Sequence, residues 1–183
     1  MARRRSTLPR NLLLAAAIAA LGWAGWQFGP RWAGRTPAPP AGGVDACRLA
    51  AAPRLAERIG RVAVEARRQP AVVGVPAAST CQWTYFGGRA TGRVFTPASL
   101  AAGGVALSPA DYFRSVATGL EYEFKIAPEG LVGLGDEALA AGFAGGDVPQ
   151  VVVRRGDRVL AIEFAGLEQG LAVAFARELA EGL

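Results

Sequence analysis

The 183-residue chain is about half apolar, has two cysteines and no histidine, so it can build no Ser/His/Asp triad, no Cys/His pair, no His-ligated metal site and no closed Cys-rich zinc site. Its net charge of +5 is unevenly spread: six of the twenty Lys+Arg precede Asp45, where there is no acid, and fourteen then stand against all fifteen Asp+Glu. From Asp45 onward the chain is therefore close to neutral, without the basic footprint that phosphate neutralisation requires, and nucleic acid is excluded as a partner.

Arg3, Arg4, Arg5 and Arg10 flank an apolar run from Leu12 to Trp26. The run is at the lower limit for a spanning helix and the upper limit for the core of a cleaved signal. Trp23, Trp26 and Trp32 suit an interfacial belt and favour an anchor, whereas Gly22 and Ala24 suit signal-peptidase cleavage. Residues 1–28 are expected to be a signal-anchor or signal segment, with the N-terminus inside the cytoplasmic membrane. The remainder is expected outside it, tethered, or secreted if the signal is cleaved. Residues 29–44, with Pro30, Pro37, Pro39 and Pro40 among glycines, read as a linker, and residues 45–183 as the extracytoplasmic domain.

Cys47 opens that domain, and Cys81 follows thirty-four residues later. In an oxidising compartment two cysteines are expected to pair; free thiols and a lipid on Cys47 are the alternatives. Arg48–Ile59 reads as a helix ending at Gly60, and Arg61–Arg67 as a strand. Thr80–Phe86 alternates, with Cys81, Trp83 and Tyr85 on one face, and Gly87-Gly88 turns it into a partner strand over Ala90–Thr96. Ser108-Pro109 opens a helix to about Thr118 with Tyr112, Phe113, Val116 and Leu120 as its stripe. Tyr122, Phe124 and Ile126 alternate as a strand, which would put Glu121 and Glu123 on its solvated face. Leu139–Phe143, Val151–Arg154 and Arg158–Phe164 follow as strands, and Leu167–Ala180 as a last helix with Leu171, Phe175 and Leu179 in register. Hairpins dominate and no strand-helix-strand unit repeats. This predicts an α+β fold, a mostly antiparallel sheet with packed helices, preceded by the N-terminal transmembrane or signal helix.

Three motif lookalikes reduce to local structure. Gly130–Gly135 is Gly-rich but does not lead from a strand into a capped helix, so a tight turn is expected rather than a phosphate cradle. In Arg155-Gly156-Asp157 the Gly-Asp pair between two strands reads as a hairpin turn. The paired acids Asp136-Glu137 read as surface.

Cys47-Arg48-Leu49 and Cys81-Gln82-Trp83 resemble the Cys-x-Leu … Cys-x-Trp signature of bacterial envelope lipoproteins carrying a domain of unknown function. Asp111-Tyr112, Gly133–Ala138 and Val153–Asp157 resemble that family's later blocks. The resemblance spans about Asp45 to Leu183. It implies an exported domain with a Cys47–Cys81 bridge and a PsbP-like α/β fold, and it implies no activity. The chain departs from the pattern in lacking a lipobox.

The leading expectation is a membrane-tethered, non-catalytic envelope module that binds a protein or cell-wall partner and needs no cofactor or metal. The alternative is a small-ligand or lipid carrier with an apolar cleft between sheet and helices, lined by Trp83, Phe113, Tyr122 and Phe143. An enzyme working with carboxylates alone ranks last.

Overall fold

A computed structural model describes residues 43–143 and 149–183. A 3-10 turn, Ala46–Arg48, leads to helix α1, Ala52–Arg58. Three strands follow: β1 (Val64–Gln69), β2 (Ser79–Tyr85) and β3 (Gly88–Phe95). Helices α2 (Pro97–Ala102) and α3 (Pro109–Phe124) come next. The remaining elements are β4 (Glu129–Gly130), β5 (Glu137–Ala141), β6 (Gln150–Arg155), β7 (Arg158–Ala165) and helix α4 (Gln169–Glu181). The strands form one seven-stranded sheet in the order β1-β2-β3-β7-β6-β5-β4, and every pairing is antiparallel. The α+β architecture with an antiparallel sheet is thus present.

Helices cover both faces of the sheet. On the first face Cys81, Trp83, Tyr85, Val151, Val153, Leu160, Ile162 and Phe164 meet α1 and α4, the latter through Ala172, Phe175, Ala176 and Leu179. The Trp83 and Phe175 rings stand edge to face at 5.6 Å, as do Phe164 and Phe175 at 5.7 Å. Gly92 lies beneath the Trp83 indole, where a Cβ would come within 2.7 Å of Cζ3, so the strand needs a residue without a side chain there. On the second face Phe95, Leu139, Ala141, Val152 and Val159 meet Leu100 of α2 and Phe113 and Leu120 of α3. Strand β6 feeds both layers, which is why Val151, Val152 and Val153 are all fully buried and its sequence does not alternate.

The Cys47–Cys81 disulfide ties the 3-10 turn to β2, with the two Cα atoms 5.1 Å apart. Asp45 secures the same junction: its carboxylate accepts from the Cys47 N–H at 3.1 Å and pairs with Arg68. The Ala46 N–H donates to Ser79 Oγ at 2.9 Å.

Several expectations need correction. Among the described residues no helix is long and apolar enough to cross a membrane. The transmembrane or signal helix placed at 1–28 and most of the linker placed at 29–44 lie outside the described residues. The single-pass topology, the contact with the cytoplasmic membrane and the membrane-tethered module that rested on them are not carried forward. The alternation Tyr122, Phe124, Ile126 is not a strand: α3 runs through to Phe124, because Phe113, Ala117, Leu120 and Phe124 continue a helical stripe on to the second face. Glu121 and Glu123 accordingly point about 200° apart around a helix instead of sharing a strand face. The helix expected over Arg48–Ile59 is two pieces, since Pro53 fixes a fresh start near Ala52.

Candidate functional site

The covering of the second face is incomplete. Helix α3 packs on β5, β6 and β7 through Phe113 and Leu120, but the short residues Ala117 and Thr118 on its flank do not reach the β4–β5 hairpin. An open groove of about 540 Å³ remains between them. Its helical wall is Phe113, Ala117, Thr118 and Glu121; its other wall is Pro128, Gly130, Leu131, Val132, Glu137, Ala138 and Leu139. A smaller depression of about 120 Å³ lies at the end of α3, between Phe124, Ile126 and Ala127 and the Ala141–Phe143 segment.

The hairpin wall is fixed from below. Leu131 N–H donates to the Ala138 carbonyl at 2.9 Å, and Asp136 N–H to the Arg154 carbonyl at 2.8 Å. Arg177 Nη1 donates to the Gly133 carbonyl at 2.9 Å. Gly135 has φ +66°, and a Cβ there would come within 2.4 Å of the Arg154 carbonyl oxygen, so both conformation and contact select glycine. The Gly-rich stretch is therefore a hairpin turn. It holds Val132, 94 % exposed, at the rim of the groove.

Charge at the site is divided between a neutralised and an uncompensated part. Arg154 Nε donates to Glu137 Oε2 at 2.5 Å and Nη1 to Asp136 Oδ2 at 3.1 Å. The bond with Glu137 is the chief reason the Arg154 guanidinium is raised above its ordinary range. Asp136 also accepts from the Gly156 N–H at 2.8 Å, at the β6–β7 turn. Both paired acids are thus engaged in holding the hairpins together. Glu121 on the opposite wall has no ion-pair or hydrogen-bond partner among the described residues. Among those residues, no group of three or more His, Cys, Asp or Glu is placed to hold a metal ion.

The residues expected to line a cleft are dispersed. Phe113 is in the groove wall and Phe143 borders the smaller depression. Trp83 is fully buried on the opposite face of the sheet, beside the disulfide. Tyr122 is 77 % exposed, with Lys125 Nζ 3.7 Å from its ring centroid. Sequence reasoning missed Ala117, Leu131, Val132 and Leu139. The signal available was Leu131-Val132: two large apolar residues inside a Gly-rich turn, of which Leu131 packs half-buried against the first-face core and Val132 is left exposed. No protein-family model, curated protein or solved structure matches the chain.

Proposed function

We propose that the domain binds a small apolar or amphiphilic ligand in the groove between α3 and the β4–β5 hairpin, and acts as a carrier or sensor of that ligand rather than as an enzyme. The observation that carries this reading is the groove itself: apolar walls from Phe113, Ala117, Leu131, Val132 and Leu139, with Thr118 and Glu121 on one wall and Glu137 on the other as its few polar groups. Concave apolar surfaces with a few placed polar groups are the usual form of small-molecule sites. The non-catalytic part of the reading is supported by the lack of histidine and by the engagement of Asp136 and Glu137 with Arg154. The family resemblance adds no activity of its own.

The test is titration of the full chain with N-phenylnaphthylamine, a neutral fluorophore that brightens in apolar surroundings. Saturable binding is expected, and Ala117→Phe, which fills the groove from the helical wall, should weaken it at least about tenfold while the circular dichroism spectrum is kept. Absence of saturable binding, or binding indifferent to the substitution in a folded variant, overturns the proposal.

A further inference from the structure

We infer that the ligand of this groove is a cationic amphiphile, a hydrocarbon body ending in an ammonium group, with Glu121 as the residue that selects the charge. The inference rests on the groove reading above and adds to it the chemistry of the head group.

Two acids line the groove, and they differ. Glu137 is held by Arg154 and so presents a neutralised pair. Glu121, exposed on the opposite wall, has no partner among the described residues, and its carboxylate remains uncompensated where a ligand would enter. Its place on α3 adds to this. Glu121 lies in the last turn of a 16-residue helix, where the exposed carbonyls leave partial negative charge and a cation is the favoured neighbour. That turn contains no basic residue, and the C-cap Lys125 is drawn over the Tyr122 ring. An ammonium group beside Glu121 would meet its carboxylate in the last turn of the helix, while the chain behind it covers Leu131, Val132 and Leu139. A carboxylate head group would meet like charge, and a hydroxyl would gain a hydrogen bond only.

The experiment is calorimetric titration of the full chain with decylammonium, decanol and decanoate, each below its micelle concentration. Decylammonium should bind about three- to fivefold more tightly than decanol, the scale of a partly exposed ion pair. Added salt should shrink that preference. Glu121→Gln should bring the decylammonium/decanol ratio close to one, chiefly by weakening decylammonium. Equal affinity for decylammonium and decanol, tighter binding of decanoate, or a cation preference that survives Glu121→Gln overturns the inference while the groove reading stands. If none of the three compounds binds, the groove reading falls as well.

Discussion

On one face of the sheet Trp83, Phe164 and Phe175 meet edge to face with no exposed surface, whereas on the other Phe113 and Leu120 pack α3 on the sheet but leave a groove beside the β4–β5 hairpin. The reinforcements follow the same division. The first face has the disulfide and the buried Glu178, which Arg54 and Arg58 clamp at 3.0 and 2.7 Å. Its helices α1 and α4 make no side-chain N-cap hydrogen bond. On the second face both helices are capped: α2 by a Thr96–Ser99 capping box, α3 by Ser108. A helix anchored along a filled core has its ends fixed by packing. One laid across a groove depends more on local hydrogen bonds. The pattern separates a filled face from one that leaves an open groove.

The largest expected effect tests the filled face. Phe175→Ala removes a ring that touches Trp83, Tyr85 and Phe164, and should cost about 3–5 kcal/mol in urea unfolding with an unchanged slope. Phe113→Ala on the groove side should cost less than half as much, because the space it leaves opens on an existing groove instead of creating a closed cavity. Equal costs for the two would erase the distinction between the faces.

Reduction of the disulfide comes next. For a loop of 34 residues the chain-entropy model gives about 4 kcal/mol. Thermal melts with and without reductant should differ markedly, with Cys81→Ser matching the reduced protein. A shift of only one or two degrees would mean that Asp45, Arg68 and Ser79 hold the junction without the bond.

Much of the filled face was legible in the sequence. Cys81, Trp83 and Tyr85 alternate as a half-buried strand must, Gly156-Asp157 is a turn between apolar runs, and Leu171, Phe175 and Leu179 recur at helical spacing. Even the bridge could be expected from two cysteines with no rival ligand set. The groove side was not legible to the same degree. Tyr122, Phe124 and Ile126 satisfy a period of two as well as Leu120 and Phe124 satisfy one of about 3.6, and only packing on Leu139 and Val152 decides between them. Helix α2 was missed although Thr96-Pro97 and Ser99 form its capping box, since six residues give no periodicity to detect. The groove depends on how far the β4–β5 hairpin stands from α3, a tertiary distance to which no local pattern corresponds.

Tyr85 offers a finer probe of the filled face. It is buried and its hydroxyl donates to the Ala165 carbonyl at 2.9 Å. Burial holds its ionisation well above the ordinary tyrosine range, with the charge of Arg61 only partly opposing this. An acid whose folded value is raised contributes stability in full below its unfolded value near 10 and loses it as pH rises through the folded one. Stability should therefore fall on the alkaline side, and Tyr85→Phe should flatten that decline while costing about 1 kcal/mol at neutral pH for the lost hydrogen bond. An alkaline limb unchanged in Tyr85→Phe would assign the loss elsewhere.

The smallest effect concerns the start of α3. Ser108 Oγ accepts from the Asp111 N–H at 3.1 Å and donates to Asp111 Oδ2 at 2.6 Å, while Arg114 donates to Oδ1 at 2.6 Å. The Ser108 hydrogen bond first, and Arg114 second, hold the Asp111 carboxyl below its ordinary range. A depressed carboxyl contributes stability above its unfolded value and loses it as pH falls through the folded one, so this contribution is present at neutral pH and disappears in acid. Ser108→Ala should cost about 0.5–1 kcal/mol at neutral pH, and the difference from wild type should narrow as the solution is acidified below the usual carboxylate range. Hydrogen exchange should quicken in the first turn of α3 and stay unchanged in α4, whose N-terminus has no such cap. Faster exchange spread over both helices would mean that the two faces unfold as one unit, and that the groove side has no independent looseness with which to admit a ligand.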